Sequence, residues 1–440
     1  MRNRVSHVAR GGSVLVALLA MPAWAQEATL DKGDTAWVIV STALVLFMMI
    51  PALAMFYGGL VRVKNVLSLF MQCFAITAVV SMLWLFYGYS LAFDTTGMAK
   101  GAGGLNAFIG GSSRLFLAGV TPDTLRGSIP EALFFVYQLT FAVITPGLFI
   151  GAFAERIKFS AVLLFTVLWV TICYLPVCHM IWGGDGSFFG DRGVLDFAGG
   201  IVVHLTAAIT ALVAAIMVKP RKGYGTTAMP PHNMTMCLTG TAMLWVGWFG
   251  FNGGSALAAN GQAAMTIVVT HISPCVAALV WLVIEWLKIG KPSALGFATG
   301  AIAGLAAITP ASGFVGPLGA VAIGLVSGVF CYYAATTLKR KFGYDDSLDV
   351  VGVHGGGGLV GSVLVAVFAS PQFGGFKADV AIGHQLLVQL AAIAFTIIYC
   401  GVASVIMLKA VDALTGLRVN AEQEEEGLDL ASHGEAGYDL

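Results

Sequence analysis

Charged side chains are scarce in this sequence: Asp, Glu, Lys and Arg make up 10% of its 440 residues, against 58% that are hydrophobic. A soluble domain carries about 25% charged residues, so this chain cannot clothe itself in a water-compatible surface. Basic and acidic residues cancel at 23 each, with no basic cluster beyond the loop lysines, which argues against nucleic acid as a partner. The seven cysteines (Cys73, Cys173, Cys178, Cys237, Cys275, Cys331, Cys400) lie in apolar segments without a C-x-x-C spacing. An odd number in that pattern suggests neither a disulfide framework nor a zinc site. Nucleophile triads, HExxH and phosphate-loop motifs are also missing, so hydrolytic chemistry has no support. The apolar segments contain no ring of acids that would cage a dehydrated alkali ion.

Long apolar runs are what the chain does have, and its mean hydropathy is +0.86. A lipid-spanning helix needs roughly 20 apolar residues, and this measure predicts an all-α polytopic membrane protein with eleven spans. They fall near 35–58, 66–93, 130–153, 159–182, 197–218, 234–256, 263–287, 294–309, 313–336, 348–370 and 384–412. The eighth is short, with Gly296, Gly300 and Gly304 at four-residue spacing, a pattern that lets helix backbones approach closely. Residues 1–25 read separately as a cleaved secretory signal peptide. Arg2, Arg4 and Arg10 precede a short apolar stretch, and Ala23-Trp24-Ala25 supplies the small residues of a cleavage site. The mature chain is expected to begin near Gln26, outside the membrane. With eleven spans, loops on the inner side hold fourteen Lys and Arg residues and those on the outer side six. That bias places the mature N-terminus in the periplasm and the C-terminus in the cytoplasm of an inner-membrane protein.

Two segments share an unusual arrangement. Asp196 precedes His204 by eight residues, and Asp346 precedes His354 by the same interval, with Asp349 between them. Ionisable groups in lipid-spanning helices are costly and mark transport paths or proton relays. The histidine-bearing segments end the first five spans and the next five. Five is odd, so the halves, about 35–218 and 234–370, form an inverted repeat with one further helix after it. At 1.5 Å per residue each histidine lies about 12 Å beyond its aspartate, and in a core about 30 Å thick both imidazoles meet near the centre of one pathway. Asp196 and Asp346 or Asp349 stand where a carboxylate can cap a helix.

Imidazole offers one donor and one acceptor nitrogen and exchanges its proton near physiological pH. A small hydrogen-bonding solute that can shed a proton fits such a path better than an alkali ion. Near the outer face, Tyr137-Gln-Leu-Thr-Phe141, Trp182 and Trp248-Phe-Gly-Phe251-Asn-Gly-Gly-Ser255 supply aromatic faces and a hydroxyl. Aromatic rings attract a cation by roughly 0.5–2 kcal/mol. His179, His232, His271 and His384 lie near predicted span ends and read as structural. Haem held between His204 and His354 is the rival use of the pair.

These stretches, together with Gly151-Ala-Phe-Ala-Glu-Arg156, Asp196-Phe-Ala-Gly-Gly and Gly352-Val-His-Gly355, resemble the ammonium transporter (Amt/MEP/Rh) family, on its bacterial Amt side. The resemblance runs from the first span to the tail. It implies a homotrimer with one pore per subunit that carries ammonium or ammonia, without a cofactor. It assigns Phe141, Trp182 and Ser255 to an outer recruiting site, and Phe141 and Phe251 to a gate. His204 and His354 become paired pore imidazoles that share a hydrogen bond, and Asp196 an entrance residue of structural importance. An ammonium sensor that signals through its tail with little transport is the alternative.

The tail changes character. Residues 421–440 hold seven acids and no Lys or Arg, which by composition reads as a solvated segment. Gly427-Leu-Asp-Leu and Ser432-His-Gly-Glu435 resemble the family's tail, and the resemblance implies a cytoplasmic regulatory segment, 413–440, that packs below the trimer and couples it to a cytosolic PII signalling protein. The transporter domain itself is expected over 26–412.

Overall fold

The computed structural model describes residues 29–439; the expected signal peptide and its cleavage site lie outside them. The fold is all-helical. Among the described residues, ten helices are long and apolar enough to cross a membrane: α1 Lys32–Leu60, α2 Val63–Phe93, α3 Glu131–Phe153, α4 Phe159–Trp182, α5 Gly200–Val218, α6 Met234–Gly253, α7 Gly261–Ile289, α9 Pro317–Phe342, α10 Val351–Phe368 and α11 Ile382–Thr415. Between α7 and α9 lies α8, Ala294–Ile308, which is apolar but shorter. Span count and order match the sequence expectation, including the short eighth member. Boundaries move where the backbone turns. The fifth helix starts at Gly200 rather than 197 because Gly199 adopts a left-handed φ of 111°. The tenth starts at Val351 rather than 348 because Asp349 has φ 59°.

Short contacts define two ends of the bundle. At one, the loop end, Asp31 N–H donates to the Ser128 carbonyl, Phe197 N–H to Pro310 and Phe376 N–H to Phe314. At the other, the tail end, Lys158 N–H donates to Leu417 and Val419 N–H to Arg156. The small residues of α8 do what their spacing predicts. A Cβ at Gly304 would lie 2.6 Å from the Pro274 Cα, and one at Gly300 would lie 2.9 Å from the Ala278 Cα. These glycines therefore permit the close packing of α8 on α7.

A buried ion-pair network closes the tail end. Arg221 donates to Asp345 through Nε (2.9 Å) and Nη2 (2.8 Å), and its Nη1 lies 3.2 Å from Glu155. Arg62 also pairs with Glu155, at 2.8 Å. Fully buried Arg156 donates to the carbonyls of Ala152, Ala154, Lys219 and Asp345 and to the Ser347 hydroxyl. Burial alone opposes ionisation of Glu155, but Arg221 and Arg62 outweigh it and hold the carboxyl below its ordinary value. Burial likewise works against Asp345, and Arg221 with Arg156 reverses it.

The acidic tail folds back onto this end instead of dangling in solvent. A short helix α12, Ala421–Glu426, begins with a capping box between Asn420 and Gln423. Buried Glu424 accepts from the Lys222 N–H (2.7 Å) and pairs with Arg418 (2.6 Å). Asp429 takes the amides of Leu67 (3.0 Å) and Ser68 (2.8 Å) at the start of α2, and Asn65 Oδ1 accepts from the Leu428 N–H. Composition hid this docking because, Arg418 apart, the partners are main-chain amides and the Asn65 side chain in distant parts of the chain.

Two outcomes follow from the packing. Substitution of Gly304 by Val forces backbone apart at the α7–α8 contact and is expected to cost about 1–3 kcal/mol, measured as a lower Tm in detergent. A carboxyl with a depressed folded value adds stability that is complete above its unfolded value and disappears as pH falls through the folded one. The Tm is therefore expected to hold from neutral pH to about 5 and to fall below the ordinary carboxylate range of about 4. Arg221→Gln leaves two buried acids under-compensated and is expected to cost about 3–5 kcal/mol at neutral pH, with much of that acid dependence lost.

Candidate functional site

The first four amides of a helix have no intrahelical partner, and at α5 one side chain serves all of them. Asp196 Oδ1 accepts from the N–H groups of Gly199 (3.1 Å) and Gly200 (2.6 Å), and Oδ2 from Ile201 (2.9 Å) and Val202 (3.0 Å). The carboxylate is thus a helix cap, favoured also by the helix dipole. The Asp196 main-chain carbonyl accepts from the Trp182 indole N–H at 2.8 Å, which sets the pose of that ring. At α10, Asp346 Oδ2 accepts from the Val351 N–H at 2.7 Å, the same five-residue offset as Asp196 to Ile201. Asp349 pairs instead with Lys339.

His204 and His354 each lie in a π-helical turn, Gly200–Leu205 and Val351–Gly355, wide turns that often accompany functional positions. Their rings come together as the spacing predicts, with centroids 5.3 Å apart and planes within 14°. The expected hydrogen bond between them is not formed. Neither ring nitrogen of His204, nor Nδ1 of His354, has a partner among the described residues. Trp248 stacks on His204 at 5.5 Å and 21°, with its indole N–H held by Thr309 Oγ1 at 2.9 Å, so packing rather than a mutual bond orients the first ring.

Towards the loop end lies an aromatic depression lined by Phe134, Gln138, Phe141, Trp182, Phe197 and Ser255 among others. The Phe141 ring meets Trp182 nearly perpendicular at 5.8 Å and overlies Phe251 at 4.3 Å. Phe251 is carried by a π-helical turn, Phe249–Gly253. The Tyr137 hydroxyl steadies that turn through the carbonyls of Gly250 and Phe251, both at 3.0 Å. Ser255 Oγ donates to the Phe251 carbonyl at 2.8 Å and lies 3.3 Å from the Tyr137 hydroxyl.

Below the Phe141–Phe251 pair, a cavity of about 10 Å³ is bounded by Phe251, Trp248, His204, His354 and apolar side chains such as Met48, Ile144 and Leu148. That is about the room one water needs; a haem does not fit. Past His354 a second opening leads to the tail end between Phe56, Leu60, Met229, Leu348 and Asp349. Depression, stacked rings, histidines and second opening therefore follow one another through their lining residues, as one line. All seven sequence-predicted residues (Phe141, Trp182, Ser255, Phe251, His204, His354 and Asp196) lie on it or hold it in place. Sequence reasoning placed Trp248 and Gln138 in the outer-face stretches but gave neither a role of its own. Each precedes a named phenylalanine by three residues, about one helical turn, which is the signal that could have found them. Among the described residues no three His, Cys, Asp or Glu side chains converge as metal ligands would.

Comparison with known proteins agrees with this arrangement. The model of the Ammonium Transporter Family matches residues 36–438. An ammonium transporter of Aquifex aeolicus is 43% identical over 433 residues, covering 97% of this chain and 98% of the relative. The crystal structure of Saccharomyces cerevisiae Mep2 superposes with a TM-score of 0.80 at 34% identity, covering 90% of this chain and 89% of that one. A structure of a "Sensor Amt Protein" superposes at 0.82 with 28% identity, covering 91% of this chain and 98% of that one. The chain belongs to the ammonium transporter family, and it is a multi-pass membrane transporter of ammonium, not an enzyme.

Proposed function

We propose that ammonium is recruited in the loop-end vestibule by Phe141, Trp182 and Ser255, deprotonated, and passed as ammonia beneath the Phe141–Phe251 gate and along His204 and His354. The observation that carries this reading is the set of three buried imidazole nitrogens without a protein partner among the described residues, at the small cavity beneath the stacked rings. Buried polar groups are nearly always satisfied, so nitrogens left free here suit a solute that both gives and takes hydrogen bonds. The apolar lining argues for deprotonation, because an isolated charge in such surroundings costs many kcal/mol. Asp196 acts through structure, by holding α5 and Trp182, and is not itself a ligand.

The same reading places the loop end in the periplasm and the tail end in the cytoplasm of the inner membrane, supported by the fourteen-to-six distribution of basic residues. It takes 1–25 as a cleaved signal peptide and 26–412 as the transporter domain, with inverted repeats about 35–218 and 234–370. The shared five-residue offset of the two capping aspartates supports the repeat. The subunits assemble as a homotrimer, each with its own pore, and residues 413–440 form a regulatory segment read by a cytosolic PII protein.

In reconstituted protein on a solid-supported membrane, ammonium is expected to evoke a current that His204→Ala with His354→Ala abolishes while the assembly stays intact. Ammonia flux by a pH-sensitive dye without any wild-type current would make the path a neutral-gas channel. Silence in both assays would favour a sensor, the reading that the likeness to a sensor protein keeps in play. Deletion of 421–440 is expected to change ammonium uptake or PII capture with the protein still inserted; if neither changes, the regulatory role is wrong.

A further inference from the structure

We infer that Gln138 is a second oxygen ligand for the ammonium cation in the vestibule and a determinant of its selectivity; this rests on the proposed recruiting role of Phe141, Trp182 and Ser255. Phe134, Gln138 and Phe141 follow one another at helical spacing on α3 and all line the vestibule with Trp182 and Ser255. Gln138 Oε1 is enclosed and has no hydrogen-bond partner among the described residues. Leaving a buried acceptor unpaired costs free energy, so an amide oxygen kept this way beside a cation's entrance is suited to a donor that arrives with the substrate.

Ammonium is a tetrahedral donor of four N–H groups. Ser255 has committed its own hydrogen to the Phe251 carbonyl and therefore presents lone pairs. The Tyr137 hydroxyl, turned to the carbonyls of Gly250 and Phe251, leaves those lone pairs available. Ser255 alone would satisfy one N–H, while the rings of Phe141 and Trp182 attract the charge through their faces. Gln138 Oε1 supplies the second oxygen, so that two oxygens and two aromatic faces match four donors. An alkali ion has no directional donors and asks for more oxygens than this site holds. Methylammonium has three N–H groups and leaves one acceptor unused.

The test measures uptake by reconstituted protein against ammonium and methylammonium concentration. Gln138→Leu is expected to raise the half-saturating ammonium concentration about tenfold, the scale of one lost hydrogen bond to a charged group. It should also narrow the preference for ammonium over methylammonium, with the maximal rate changed less. Gln138→Glu, which keeps an oxygen and adds charge, is expected to lower the half-saturating concentration, an outcome that a packing role does not produce and that remains readable if the Leu variant misfolds. Ser255→Ala serves as the reference. If it weakens uptake while both Gln138 variants behave as wild type, Gln138 is not a ligand. If Ser255→Ala is itself without effect, the recruiting site is wrong and the inference falls with it.

Discussion

The carboxylate of Asp196 is the interaction on which the geometry of the pathway depends. A helix that starts inside a membrane protein has four amides to satisfy where water is scarce, and lipid cannot satisfy them. Asp196 takes all four with its two oxygens, and its carbonyl takes the Trp182 indole. One residue thereby fixes the depth at which His204 sits and the wall of the vestibule above it. Asp346 does a reduced version of the same task for His354, which is why two histidines from distant parts of the chain arrive at one level.

Buried polarity is handled in two ways in this molecule. At the tail end, acids and guanidinium groups are matched and the matching holds Glu155 and Asp345 ionised despite burial. Along the line from the aromatic depression to the histidines the opposite holds. Polar atoms of His204, His354 and Gln138 are buried without partners, enclosed by Phe, Trp, Met and Leu side chains. Unpartnered polar atoms also occur elsewhere in the bundle, as at Gln72, Thr166 and Thr396, but those of the two imidazoles border one small cavity.

Much of this was legible in the sequence, because the strongest signals there are one-dimensional. Apolar runs report spans, the eight-residue Asp–His interval reports depth, and glycines at four-residue spacing report the tight α7–α8 contact. What was hidden depends on neighbours far apart in the chain or on local backbone detail. The π-helical turns around His204, His354 and Phe251 have no distinctive composition. The missing hydrogen bond between the imidazoles follows from how Trp248 and the helices pack, which spacing does not encode. The composition of residues 421–440 suggested solvent, whereas Glu424 and Asp429 are buried on main-chain amides of Lys222, Leu67 and Ser68 that only the fold brings near.

Asp429 also makes the tail a tethered ligand of its own protein. It occupies the amides of Leu67 and Ser68, in the first α-helical turn of α2 after a 3-10 start, as a bound anion would, but its local concentration is set by a short stretch of chain after α11 and not by the solution. Short flexible tethers give effective concentrations of about millimolar order. Any soluble molecule that takes the tail's place must therefore outbid an intramolecular competitor. Any that binds the tail itself must first pull it from the amides of Leu67 and Ser68 and leave those to water. Occupancy of this face is thus a competition between a tether and a concentration, and a modest weakening of the tethered contacts shifts the balance without altering the pore.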